Sequence, residues 1–241
     1  MLSQHATAFA LCSLALGLVA CGGAAAEEVD LEEAKLDVQS LADNSTYFSV
    51  RQDFRRCGAP LCGGSFVARV NRSTTRCADG ADGSECYVAE LAFAKLGFTP
   101  VEKRQLLAEP ETLLLRGSIG SRLVAGAGSV GVLDVTEVWR GHAGITPSGT
   151  FNRVTASEGC FARPCLALLS SGRLNSSVSG RLSSLDLSQV PAALLGSEAY
   201  LSEPDGLMVT GFSASPAGAS LEARPTLYVT EYYVRATAQR P

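Results

Sequence analysis

Leu107–Gly117 reads LAEPETLLLRG, and 94 residues later Leu201–Gly211 reads LSEPDGLMVTG. The same offset carries Leu133–Glu137 (LDVTE) onto Leu227–Glu231 (LYVTE). A shared Glu-Pro stop, an apolar run, a glycine and a Val-Thr-Glu strand in one register mark an internal duplication.

Around this stretch the chain divides into two similar copies. In the first, Thr99-Pro100-Val101-Glu102 has the capping-box spacing with proline at the first helical position, so a helix is predicted from there. It should stop near Glu109, because Pro110 disfavours a helical residue before it. Leu113–Ile119 and Val130–Trp139 are predicted strands, as are Tyr47–Val50, Gly64–Val70 and Tyr87–Phe93 upstream. In the second copy Pro191–Tyr200 is the matching helix, and Gly172-Arg173-Leu174-Asn175 echoes Ala68-Arg69-Val70-Asn71. Phe151 stands nine residues before Cys160, as Phe48 stands nine before Cys57. The offset thus drifts from 103 to 94, which places a deletion of about nine residues at the Cys77–Cys86 loop. The expected fold class is α+β: two tandem β-β-β-α-β-β units at 47–141 and 150–236, each a small, mainly antiparallel sheet with one packed helix.

The N-terminus reads as an address rather than as fold. Ala6–Ala20 is an uncharged Leu/Ala-rich core too short for a membrane span, ending in Leu18-Val19-Ala20-Cys21. That pattern resembles a bacterial lipobox, with residues 1–20 as signal peptide and Cys21 as the lipidated mature N-terminus. Gly22 after the cysteine, rather than aspartate, points to the outer membrane. Residues 21–46 then form a linker holding seven acids against Lys35. The rest of the chain carries 17 acids and 19 bases, so the acidity behind the net charge of −4 belongs to the tether. A nearly neutral folded part disfavours nucleic acid as a partner.

Six cysteines remain beyond Cys12 and Cys21. Cys57 and Cys62 share their spacing with Cys160 and Cys165, the second copy's only cysteines, so each pair is expected to close on itself and leave Cys77 for Cys86. Disulfides are the ordinary use of cysteine in an exported chain, and a four-thiol metal site is the weaker reading.

Few residues could carry chemistry. His142 is the one histidine beyond the leader, and no nucleophile-elbow pattern accompanies it. Glu137 and Glu231 repeat at equivalent strand positions, which favours a structural reason over acid–base work. Asp79, Asp82 and Glu85 lack EF-hand spacing and read as a solvated turn. No phosphate loop or cofactor fingerprint appears, so no cofactor, metal or catalytic residue is expected. Arg51, Arg55, Arg56, Arg69, Arg72 and Arg76 form a local cluster that could meet an anionic partner, or simply protect edge strands.

Tyr47–Cys57 (YFSVRQDFRRC), Pro60–Gly64 (PLCGG), Arg76–Gly80 (RCADG), and Gly159-Cys160 to Pro164-Cys165 resemble an uncharacterised family of exported domains. The family is common in myxobacterial lipoproteins and is known only as a domain of unknown function. The resemblance covers most of residues 47–235; it implies bacterial export and brings no catalytic residues. The functional expectation is a lipid-anchored envelope module, non-enzymatic, that binds a protein or glycan or acts as a spacer. The alternatives are an extracellular hydrolase and a protease-inhibitor-like presenter of the Cys57–Cys62 loop.

Overall fold

The structure, a computed structural model, describes residues 46–142, 147–156, 169–190, 206–215 and 224–238. The first half contributes β1 (Thr46–Gln52), β2 (Ser65–Arg69), a two-residue-strand hairpin of β3 (Thr75–Arg76) and β4 (Asp82–Gly83), β5 (Cys86–Val88) and β6 (Glu90–Ala92). After a helix at Pro100–Leu106 come the long strands β7 (Leu113–Val124) and β8 (Gly128–Gly141). The second half contributes β9 (Thr150–Ala156), β10 (Leu169–Arg173), β11 (Ser179–Leu182), β12 (Ser184–Asp186), β13 (Leu207–Ala214) and β14 (Thr226–Ala236).

Twelve of these strands form one sheet, whose path runs β11-β10-β9-β13-β14-β8-β7-β1-β2-β5. The path reads alike from either end. At its centre β8 pairs with β14 antiparallel through Trp139–Arg235, Arg140–Val234 and Gly141–Tyr233. Arg140 and Val234 are themselves 94 residues apart, so the pairing is two-fold related about that pair. Outward from it, β7–β8 breaks register between Arg116 and Gly117, and β13–β14 breaks it between Thr210 and Gly211. The short parallel strands match too, Leu91 on Leu133 and Leu185 on Leu227.

Glycine is required at both breaks by close approach. A Cβ on Gly117 would lie 2.3 Å from the Asp134 carbonyl oxygen, and one on Gly211 would lie 2.1 Å from that of Tyr228. The glycine that closes each repeated stretch is therefore the residue that lets the two longest hairpins bulge.

The expected α+β class is corrected: the described fold is a β-protein. The Thr99 cap does form, with the Thr99 hydroxyl accepting from Glu102 N and the Glu102 carboxylate accepting from Thr99 N. Yet the helix is seven residues long and buries only Leu106, so it is no layer. What covers the second face of the central strands is the other half of the sheet. Leu113 and Leu115 point into a first-half core with Phe48, Val67, Leu133 and Val135, while Leu114 points the other way. Leu207 and Val209 likewise enter a second-half core, and Met208 turns to meet Leu114 in a third cluster with Tyr47, Val70, Trp139, Leu174 and Tyr233. Strands buried on both faces read as unbroken apolar runs, which is why Leu113–Leu115 shows no alternation. The predicted helix at 191–200 lies outside the described residues.

The strand register also revises the alignment of the copies. Phe48 pairs with Leu115 and Arg69, and Asn152 pairs with Val209 and Arg173. Phe48 thus corresponds to Asn152, and Tyr47 to Phe151, an offset of 104 rather than 103. The second half reaches β11 six residues after Asn175, counting to Arg181, where the first half takes sixteen from Asn71 to Tyr87. The difference is the β3–β4 hairpin.

Candidate functional site

Three groups of polar residues stand out once the sheet is in place: an exchange between the halves, a buried carboxylate network and a disulfide-closed loop.

The exchange is made by Asn71 and Asn175, which follow β2 and β10 in the left-handed conformation at φ 61° and 55°. Asparagine tolerates that region better than other side chains with a Cβ. Each amide reaches into the opposite half. Asn71 Nδ2 donates to the carbonyls of Phe151 (2.8 Å) and Leu174 (2.9 Å), and its Oδ1 accepts from Phe151 N. Asn175 Nδ2 donates to Tyr47 O (2.8 Å) and Val70 O (2.9 Å), and its Oδ1 accepts from Tyr47 N and the Thr46 hydroxyl. Arg72 Nε donates to Asn175 O, and Arg173 Nη2 to Asn71 O.

Below this seam lies Glu137, whose carboxylate accepts from Arg116 Nη1 (2.7 Å), Trp139 Nε1 (3.0 Å) and the Tyr47 hydroxyl (3.4 Å). Tyr47 in turn accepts from Arg153 Nη2 at 2.6 Å. Burial pushes the Glu137 carboxyl up, but the Arg116 and Trp139 hydrogen bonds outweigh it and hold the group below its usual range. Burial raises the hydroxyl of Tyr47, and more strongly that of Tyr233. Glu231, the repeat of Glu137, is buried and accepts from the backbone N–H groups of Tyr232 and His142. Both glutamates tie strands together. The His142 ring stacks on Tyr232 at 5.0 Å.

The loop joins β1 to β2. Cys57 and Cys62 are bonded, with Cα atoms 5.4 Å apart, as are Cys77 and Cys86 at 5.3 Å. Asp53, buried at the loop's root, accepts from Arg55 Nε (2.9 Å), Arg55 Nη2 (3.0 Å), Arg55 N and Gly63 N. The Arg55 hydrogen bonds hold its carboxyl below the usual range. The Tyr87 hydroxyl donates to Pro60 O and accepts from Gly64 N, while Leu61 N donates to Gly58 O. The loop backbone is thus tied from both sides. Two large apolar side chains remain outside it: Phe54 is 73% exposed and Leu61 59% exposed.

The structure divides the arginine cluster. Arg51 pairs with Glu85 and lies 4.4 Å from the centre of the Phe66 ring. Arg55 sits 5.0 Å from the Phe66 ring and 4.9 Å from that of Tyr87. These contacts make an alternating cation–ring stack beside the loop. Arg69 donates its backbone N–H to the Thr75 hydroxyl within the first half, Arg72 belongs to the seam, and Arg76 pairs with Asp82 across β3–β4. Arg56 alone of the six stands exposed with no ion pair among the described residues. Asp79, Asp82 and Glu85 do not converge: Asp79 caps its own turn through Ala81 N, and the others hold Arg76 and Arg51. Cys21, Cys160 and Cys165 lie outside the described residues. Sequence reading missed Phe54, Leu61 and Tyr87. Two exposed apolar residues around a cysteine loop were a legible signal; the Tyr87 tie, made from 27 residues away, was not.

Residues 46–239 match the family model of a domain of unknown function, DUF6748. The chain belongs to this family. The match takes in both halves of the DUF6748 sheet as a single domain, from the first residue of β1 to just beyond the end of β14. No curated protein and no solved structure matches the chain.

Proposed function

We propose that this DUF6748 protein is a non-enzymatic binding module of the bacterial envelope that docks a protein partner through its Cys57–Cys62 loop. Cys21 and the acidic linker 21–46 tether it through lipid, on the outer membrane, and two disulfides in the described fold suit an exported, oxidising setting. The observation that carries the reading is the combination of a tied backbone with exposed Phe54 and Leu61. A loop ordered before binding avoids much of the entropy cost of association, and aromatic side chains anchor interfaces out of proportion to their number. Arg56, exposed beside them, adds charge at the rim, where it steers encounter more than it holds the complex.

A photo-reactive residue at position 61 in the intact envelope tests this. A discrete cross-linked protein that is lost on Phe54→Ser supports loop docking. Cross-linking that is absent, or unchanged by Phe54→Ser, overturns it. Sequencing the N-terminal peptide tests the tether separately: a free amine at any residue other than Cys21 removes the lipid from the proposal.

A further inference from the structure

The two halves differ at one equivalent place. Across three adjacent strands of the first half, Arg51 pairs with Phe66 and Phe66 with Tyr87. The corresponding row of the second half is Thr155–Ser170–Arg181. In the first half the row is filled: the Phe66 and Tyr87 rings pack edge-on at 5.7 Å, and Arg51 and Arg55 lie against them. Glu85 and Asp53 neutralise both guanidiniums. In the second half the rings are gone. A groove of about 540 Å³ opens there, lined by Arg153, Thr155, Ser170, Ser179 and Arg181, with the glycines of β10 and β11 as its floor.

Among the described residues its charge is not compensated. Neither Arg153 nor Arg181 has a carboxylate partner among the described residues; Arg153 donates to the Tyr47 hydroxyl, and its buried Nε has no partner among them. Glu85, which holds Arg51, lies two residues before Tyr87, and the residue two before Arg181 is Ser179. Two guanidiniums lining one groove repel each other, and an anion between them removes that repulsion while gaining charge-assisted hydrogen bonds. The serine and threonine hydroxyls supply neutral donors and acceptors around the charge.

We infer that the Arg153–Arg181 groove is a binding site for an oxyanion, a carboxylate or phosphate carried on a hydroxyl-bearing ligand. The site is independent of the loop proposed above for protein docking. The carboxylate and phosphate sources are separated by the probes. Calorimetric titration of the full chain with inorganic phosphate, glucuronate and glucose should give saturable binding with at least one of the two anions and none with glucose. Preference for phosphate assigns a phosphate ligand, and preference for glucuronate a carboxylated sugar. Arg181 is exposed, so Arg181→Gln should keep the native circular dichroism while weakening the anion by about tenfold or more, the value of one lost charge-assisted bond. Arg56→Gln, which removes an equal charge elsewhere, should leave it unchanged. No saturable anion binding, equal loss in both variants, or binding untouched by Arg181→Gln overturns the inference.

Discussion

Asn71 and Asn175 each fasten the half of the sheet to which they do not belong. Asn71 bridges Phe151 and Leu174, while Asn175 bridges Tyr47 and Val70, the same two positions in the other half. In both halves a backbone bond already joins those positions, Val70 N to Tyr47 O and Leu174 N to Phe151 O, and the foreign amide completes the set. The arrangement makes each half a condition for the other's strand ends.

Replacing either asparagine should therefore destabilise the whole domain. Asn71→Gly keeps the positive φ but leaves Phe151 N and Leu174 O without their partner, Phe151 O keeping only its bond from Leu174 N, a cost of about 2–3 kcal/mol. Asn71→Ala adds about 1 kcal/mol for the left-handed conformation. Urea unfolding should show one transition at a lower midpoint with an unchanged slope. Two separate transitions would mean that the halves fold independently of this seam.

The two bulge glycines should be far less replaceable than a glycine in open space. Gly117→Ala and Gly211→Ala drive a methyl against a backbone oxygen and should each cost about 3 kcal/mol. Gly120, also on β7, has a negative φ, and a methyl there would meet nothing within 4 Å, so Gly120→Ala should be neutral or slightly stabilising. Thermal melts of the three variants side by side decide this. Equal losses would show that the close approach does not matter.

Acid should act through Glu137. Its folded value lies below the ordinary carboxylate value, so its contribution is fully present above that ordinary value and is lost as pH falls through the folded one. Glu137→Gln should lower stability at neutral pH and flatten the fall in the urea midpoint on acidification. A variant with the same acid slope as the parent would assign the acid sensitivity to other groups.

Neighbouring arginines should behave differently. Arg55 holds Asp53 and stacks on two rings, so Arg55→Ala should lower the melting temperature and loosen the Cys57–Cys62 loop to proteolysis. Arg56, exposed and unpaired among the described residues, should be silent in the same assays. A stability loss for Arg56→Ala equal to that of Arg55→Ala would contradict the division of the cluster.

The 94-residue offset, the Thr99 cap and the apolar runs after each Glu-Pro are properties of the sequence by itself, because they depend on local chemistry and spacing. So are the glycines at 117 and 211, although not the reason for them. What covers each strand was a tertiary matter. Leu113–Leu115 states that both faces are buried, but a helix and a second half-sheet satisfy that pattern equally, and only the β8–β14 pairing chooses the sheet. The offset of 104 already stands in the echo of Ala68–Asn71 at Gly172–Asn175, whereas carrying it back to Phe48 and Asn152, against the 103 counted from the cysteines, took the hydrogen-bond register. Arg51, Arg55 and Arg181 look alike as letters. Pairing across the sheet brings rings against the first two and hydroxyls beside the third, because side-chain neighbours in a sheet come from distant segments; Glu85 likewise reaches Arg51 from afar, whereas Asp53 holds Arg55 from two residues away.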